Sequence, residues 1–145
     1  MNKLEYIPGD LIRIQPTVNW FSDDREAILK VVECNNNETL RVKIQDLERN
    51  SYLVYEPYII PIKLTREILE KNGWNKRHDG TSSCDIYSKG NGDFYVSLEQ
   101  SIYKRQEGFD LVVADSTYRF GKKIKYVHQL QHLLFGLGLP MDLKV

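Results

Sequence analysis

The sequence lacks any continuous apolar run approaching the roughly 18 residues that a membrane-spanning helix requires. Its first residues, Met1 to Tyr6, also lack the apolar core of a signal peptide. Cysteine is scarce, because Cys34 and Cys84 are the only two, and their spacing fits neither a disulfide framework nor a metal site. These absences predict a cytoplasmic protein whose two thiols are reduced.

An excess of charge is also missing, because 20 basic and 20 acidic residues give a formal net charge of +0. A balanced chain attracts DNA or RNA weakly, so nucleic-acid binding is not expected. The two halves nevertheless differ: residues 1–61 hold 7 basic and 10 acidic side chains (7 − 10 = −3), and residues 62–145 hold 13 and 10 (13 − 10 = +3). An anionic partner is therefore expected to prefer the second half.

The hydrophobic pattern predicts an α+β protein whose two modules, residues 1–61 and 62–145, meet at Pro61. The first module holds about five short strands with turn residues between them, which predicts a small SH3-like β-barrel. The long loop after its first strand carries Trp20 and Phe21. These rings either line a groove for a peptide or nucleic acid, or fold back to cover one end of the barrel.

The second module, residues 62–145, is predicted to form a short antiparallel sheet with two helices. Thr65 can cap the first helix, and Asn72 with Gly73 can close it through a left-handed C-cap. The final helix is predicted to pack on one face of the sheet, and residues 141–145 to add an edge strand. The sheet strands are predicted in five segments: 84–87, 94–98, 102–104, 109–113 and 117–120.

The final helix follows from the apolar spacing after Val127. At about 100° per residue, four leucines share one arc, which is the predicted buried face: Leu130, Leu133, Leu134 and Leu137. His128 and His132 lie on the other side and are expected to face solvent or a neighbour. Two histidines four residues apart can grip zinc, but Gln129 replaces the glutamate of H-E-x-x-H, and no third ligand has recognisable spacing. Polar contacts at a helix face or interface are the simpler interpretation.

Basic residues gather just before this helix, at Arg119, Lys122, Lys123 and Lys125. Lysines at a helix start oppose the helix dipole unless an anion or carboxylates offset them. Backbone N–H groups together with lysines can bind phosphate there, although Gly121 alone does not make a phosphate-binding loop. The cluster is therefore either an anion or nucleotide site or a solvated strand end.

Two segments, Ile60 to Trp74 and Tyr126 to Leu133, resemble a family of small uncharacterised proteins from gut anaerobes, their prophages and mobile elements. In that family, a strand-rich segment leads into a Pro-Ile/Leu-x-Leu-Thr helix, and a Val-His-x-Leu-Gln helix lies near the C-terminus. Both motifs occur here in that order. The chain departs at His132, where the family has asparagine, and at the glycine-rich end of the last helix. Because the family has no assigned chemistry, the resemblance implies no catalytic residue.

No catalytic constellation is evident, and no cofactor is predicted. We expect a non-enzymatic binding or accessory protein of phage or mobile-element origin that contacts a protein partner or another copy of itself. Two alternatives stay open. One is a binder that sequesters a small anionic or nucleotide-like ligand at Arg119, Lys122, Lys123 and Lys125, and the other is a metal-dependent hydrolase that uses His128 and His132.

Overall fold

A computed structural model shows an α+β protein built mainly from strands. The structure describes residues 6–15, 28–35, 41–45, 49, 51–78, 84–91, 94–101, 107–113, 118–119 and 123–145. These residues form two five-stranded antiparallel sheets and two α-helices. The predicted fold class is confirmed at this level.

The first sheet has the strand order β4-β3-β2-β1-β5, with every neighbouring pair antiparallel. A single 3-10 turn, Glu56–Tyr58, joins β4 to β5. The last strand returns to pair with the first, so that Arg13 faces Ile60 across the ladder. The strands are β1 (Leu11–Ile14), β2 (Leu29–Asn35), β3 (Arg41–Gln45), β4 (Ser51–Tyr55) and β5 (Ile59–Pro61).

Alternation along β1 buries Ile12 and Ile14, because successive side chains of a strand point to opposite faces. They join a core that also includes Tyr6, Leu29, Val31, Val54 and Ile59. Cys34 packs against this core, and its Sγ lies 3.0 Å from the backbone oxygen of Tyr6. The apolar spacing in the sequence thus determines which face of the first sheet is buried.

The second sheet is a meander in the order β10-β9-β8-β7-β6. Its longest pair, β7 with β8, runs without a register shift from Cys84 opposite Ser101 to Asn91 opposite Phe94. The predicted strand at 102–104 lies outside the described residues. The strands are β6 (Asn75–His78), β7 (Cys84–Asn91), β8 (Phe94–Ser101), β9 (Asp110–Val113) and β10 (Tyr118–Arg119).

The first helix, α1 (Arg66–Lys71), begins and ends as predicted. Oγ1 of Thr65 accepts a hydrogen bond from the backbone N–H of Ile68 at 3.3 Å, which is an N-cap. Gly73 has φ 78°, and the N–H of Trp74 donates to the carbonyl of Leu69 at 3.0 Å. This is a Schellman-type helix ending, and the Trp74 side chain that follows it is buried.

The chain divides into two compact units. Unit 1 comprises Met1–Ile62 and Val127–Asp142, and unit 2 comprises Lys63–Tyr126 and Leu143–Val145. The first segment of unit 1 ends at Ile62, one residue after Pro61, where the predicted first module ends. The second helix, α2 (Val127–Gly136), lies in unit 1, whereas the sequence pattern assigned it to residues 62–145. The fully buried amide of Gln131 ties α2 to unit 1, because it bonds to the backbone of Gly9, Leu11 and Met141.

The C-terminal segment also differs from its prediction. Residues 141–145 form no strand, and the side chain of Asn72 takes the place of a strand partner. Its Oδ1 accepts from the N–H of Lys144, and its Nδ2 donates to the carbonyl of the same residue, each at 2.7 Å. An amide side chain thereby satisfies backbone groups that a sheet ladder would otherwise pair.

Candidate functional site

Helix α2 buries a different arc from the one its leucines predict. Val127, Leu130 and Leu134 are buried, but so are His128 and Gln131. Leu137 is exposed because the helix ends at Gly136, before Leu137 can continue the apolar stripe. The buried face therefore rotates toward the histidine side. Of the two alternatives for His128, solvent or a neighbour, the first is excluded, since its side chain is fully buried.

Unit 1 contains a polar cluster of four side chains: Asp10, His128, Gln131 and His132. The Asp10 side chain is fully buried. Its Oδ2 accepts from the N–H of Ile7 at 2.8 Å and lies 2.7 Å from Nε2 of His132. Its other oxygen, Oδ1, is buried and has no hydrogen-bond partner among the residues that the structure describes. One carboxylate oxygen thus carries the polar contacts of this side chain.

Burial is the largest influence on the Asp10 carboxyl group and raises its pKa above the ordinary value of 3.8, because the charged form loses its hydration. The hydrogen bonds to Ile7 and His132, and the charges of His132 and then His128, act in the opposite direction without cancelling it. Asp10 therefore holds its proton to a higher pH than an exposed aspartate does.

Gln131 clamps two segments of unit 1 to α2. Its Oε1 accepts from the N–H of Leu11 at 2.9 Å. Its Nε2 donates to the carbonyl of Gly9 at 3.0 Å and to that of Met141 at 3.1 Å. The side chain is fully buried, and its polar groups are directed at backbone atoms. Gln131 is therefore a structural residue of this cluster.

The histidines complete the polar cluster through ring contacts. The His128 ring packs on Tyr6 with centroids 4.8 Å apart, and on His132 at 5.7 Å. The His132 side chain remains 31% exposed. Across the described ranges, no group of three or more His, Cys, Asp and Glu side chains could hold a metal ion. His128 thus contacts Tyr6, and His132 contacts Asp10.

An aromatic strip lies on the surface of unit 1 and consists of Leu53, Tyr55 and Tyr58. These side chains are 49%, 46% and 45% exposed. Leu53 and Tyr55 share one face of β4, opposite the buried Val54, and the ring of Tyr58 lies edge-on to that of Tyr55 at 6.4 Å. Trp20 and Phe21, which the sequence offered as aromatic contacts, lie outside the described residues.

A cleft of about 260 Å³ opens in unit 2. Three cationic side chains line it, namely Lys63, Arg66 and Lys125, and so do two anionic ones, Glu67 and Glu107. The pKa of Glu67 is held below its ordinary value of 4.5 by its own backbone N–H and then by the Thr65 hydroxyl. Counting these five side chains, the lining carries 3 − 2 = +1 at neutral pH.

Arg66 is fixed within this cleft by two residues of the sheet. Its Nε donates to Oε1 of Gln100 at 2.7 Å, and its Nη1 lies 3.2 Å from Oδ2 of Asp85. The Asp85 side chain is almost completely buried, and Lys76 lies 3.7 Å from the same oxygen. Gln100 is itself held, because its Nε2 donates to the carbonyl of Gly108 at 3.3 Å. The guanidinium plane is therefore set before any ligand arrives.

Of the basic cluster predicted before α2, the structure describes the side chains of Lys123 and Lys125. Lys125 lines the cleft, but Lys123 lies 3.0 Å from Oδ2 of Asp110, so that a carboxylate of the chain already offsets its charge. Arg119 belongs to β10, and its side chain is not described. Lys122 lies outside the described residues.

Sequence reasoning missed Asp10, Gln131 and Arg66. Pro8-Gly9-Asp10 is a turn signal, and the N–H of Asp10 closes a turn by donating to the carbonyl of Ile7 at 3.1 Å. Gln131 received no assignment, although it stands three positions from Leu134 on the same face of α2. A polar residue between two buried apolar positions at helical spacing is the signal that could have identified it.

The chain matches no protein-family model, no curated protein and no solved structure. Within the described part of the chain, neither helix has the length and apolar character needed to cross a membrane.

Proposed function

We propose that this chain is a non-enzymatic binding or accessory protein that acts through protein–protein contacts, and that the aromatic strip of unit 1 makes them. The observation that carries the proposal is the exposure of Leu53, Tyr55 and Tyr58 in one place. Single exposed apolar residues are ordinary, whereas adjoining ones mark interaction sites. Tyrosine is enriched at interfaces because its ring is apolar and its hydroxyl stays hydrated.

The architecture of the first sheet supports an SH3-like barrel as the scaffold of this strip. Its five short strands are all antiparallel, and β5 returns to pair with β1 after a single 3-10 turn. We propose that the sheet curls into a partly open barrel of this kind. Such folds serve many functions, so the strip, and not the barrel, carries the functional argument.

The occupant we propose is an extended segment of a partner protein that contains basic and apolar residues. β4 stands at one end of the strand order, so within the described residues one of its edges has no neighbouring strand. An extended segment can pair with such an edge while its side chains contact Leu53 and Tyr55. The charge balance of residues 1–61, 7 − 10 = −3, favours basic residues in the partner.

A peptide-display selection on the purified chain tests this proposal. Selected peptides would be titrated by fluorescence anisotropy against the wild type and against Leu53→Ser and Tyr58→Ser. We expect each substitution to weaken binding about tenfold or more, the loss typical of an aromatic or apolar anchor at an interface centre. Phe135→Ser is the control, because Phe135 is also an exposed apolar residue but lies on α2, outside the strip.

Peptides whose affinity is unchanged by both strip substitutions would contradict the proposal, and so would a selection that returns no binder. Sedimentation velocity of the same variants separates the two kinds of protein partner. Self-association that Tyr58→Ser abolishes would identify the partner as a second copy of the chain.

A further inference from the structure

The cleft of unit 2 has a chemistry that the proposed contacts of unit 1 do not use. We propose that it binds a small organic monocarboxylate, with Arg66 as the residue that pairs with the carboxylate group. This inference does not rest on the proposed function, since no residue of the aromatic strip lines the cleft.

Arg66 is preorganised to pair with a carboxylate. The contacts described for its guanidinium group use Nε, toward Gln100, and Nη1, toward Asp85. Among the described residues this leaves the N–H groups of Nη2 for an acceptor in the cleft. A planar fork held from behind by a buried carboxylate loses little freedom when it pairs with a second carboxylate.

The side chains that line the cleft carry a small positive surplus of charge. Lys63, Arg66 and Lys125 contribute three positive charges, and Glu67 and Glu107 contribute two negative ones. Lys63 already lies 3.2 Å from Glu107, but both side chains are mostly exposed, and such pairs contribute little and exchange readily. Asp85, which pairs with Arg66, is also paired with Lys76, and the charges of Asp85 and Lys76 cancel. The surplus of 3 − 2 = +1 therefore remains; it matches one negative charge and disfavours a dianion such as a phosphate monoester.

The volume of the cleft suits a small ligand. The volume of about 260 Å³ lies below the roughly 300–1,000 Å³ of pockets that hold drug-sized ligands. A nucleotide would not be enclosed by it. Buried Leu64 and Phe109 contribute apolar lining, so that an acid with a compact apolar body fits better than a purely polar ion.

Titration of the isotopically labelled full chain with benzoate, followed by NMR chemical shifts, tests the proposal. Benzamide is the neutral analogue of nearly the same shape, and inorganic phosphate is the competing anion. We expect saturable shifts around Arg66, Gln100 and Gly108 with benzoate, at least about tenfold weaker binding of benzamide, and weaker binding of phosphate than of benzoate.

Three variants locate the site. Arg66→Lys keeps the charge but removes the planar fork, so we expect benzoate affinity to fall about tenfold. Glu107→Gln removes a repelling charge from the exposed rim, so affinity should rise about two- to fivefold. Lys71→Gln is the control, because Lys71 lies on the same helix but not on the cleft, and its change should leave affinity unaltered.

The Glu107→Gln arm keeps the test decisive even if Arg66→Lys perturbs the fold, because Glu107 is exposed. Shifts that do not saturate with benzoate would overturn the proposal. Equal affinity for benzamide, preference for phosphate, or weaker binding by Glu107→Gln would each do the same. The aromatic-strip variants of unit 1 should leave benzoate binding unchanged, so that either proposal can fail alone.

Discussion

Unit 1 and unit 2 each contain a cluster of polar side chains, but the two clusters are satisfied differently. In unit 1, Gln131 is fully buried and directs its amide at three backbone groups, and Asp10 is fully buried beside His132. In unit 2, Arg66 is bound by Asp85 and Gln100 yet remains 37% exposed at a cleft. Polar residues alone therefore do not mark a binding site. What distinguishes Gln131 from Arg66 is whether the chain itself supplies the hydrogen-bond partners of the side chain. The amide of Gln131 has three backbone partners, whereas Nη2 of Arg66 has none among the described residues.

The difference has an energetic consequence. A buried side chain that satisfies backbone groups leaves them without partners when it is replaced, and each such group costs about 1–3 kcal/mol. A partly exposed charged group is screened by water, so its replacement changes binding more than stability. Substitutions in unit 1 should accordingly act on unfolding, and those of cleft side chains on ligand affinity.

The largest effect is expected for Gln131→Met, which keeps the length of the side chain but removes its amide. The N–H of Leu11 and the carbonyls of Gly9 and Met141 each lose a partner, so the free energy of unfolding should fall by about 3–5 kcal/mol. Urea unfolding followed by circular dichroism measures it. Gln129→Met, on the same helix but only half-buried, should cost less than about 1 kcal/mol. Equal losses would show that the amide contacts contribute nothing specific.

A smaller effect is expected at Gly108, where backbone and not side-chain charge shapes the cleft. Gly108 has φ 89°, and an added Cβ would lie 2.8 Å from Cγ of Lys125 and 3.0 Å from the carbonyl oxygen of Ile124. Gly108→Ala should therefore cost about 2–4 kcal/mol, from left-handed backbone strain plus crowding. Gly73→Ala is the matched control, since Gly73 has φ 78° and open space around it, and should cost only about 1–2 kcal/mol in the same urea assay. Two equal costs would mean that the crowding is relieved by movement of Lys125.

The smallest effect is expected for Asp10→Asn, which should lower the free energy of unfolding by about 1–2 kcal/mol at neutral pH. The loss is small because the amide retains an acceptor for the N–H of Ile7. Its signature is the pH dependence. Burial raises the pKa of Asp10 in the folded chain, so protonation stabilises the folded state fully below about pH 3.8, and this contribution is lost as the pH rises through the raised pKa. The stability of the wild type relative to Asp10→Asn should therefore fall across that window. Urea unfolding of both proteins at a series of pH values measures this difference, and a rise with pH would contradict the raised pKa.

Local signals in the sequence predicted much of this fold. Thr65 and Gly73 mark the two ends of α1 by chemistry that operates within a few residues, namely a hydroxyl that caps an N–H and a glycine that accepts a positive φ. The alternation of Leu11 to Ile14 is likewise a short-range pattern, and it coincides with β1. Such features need no knowledge of distant contacts.

The site was much less predictable. His128 was expected to face solvent or a neighbour because the leucine arc of α2 was taken as the whole buried face. That face also includes Gln131, whose amide has backbone partners. Lys125 was predicted as a ligand contact, and it lines the cleft. Arg66 is better placed to bind a ligand, but the sequence around it indicated only the start of a helix. Its role depends on Asp85 and Gln100, which lie 19 and 34 positions away in the sequence.

By itself, the sequence determined the antiparallel strand-rich character of the chain, the position and caps of α1 and the existence of α2. These depend on residue preferences and periodicity over short stretches. Only the tertiary structure decided that α2 belongs to unit 1, that Asp10 meets His132 across 122 positions, and that Arg66 stands fixed beside a cleft. The physical reason is that a buried polar group is stable only beside its partner, and the chain distance between partners is set by packing and not by local preference.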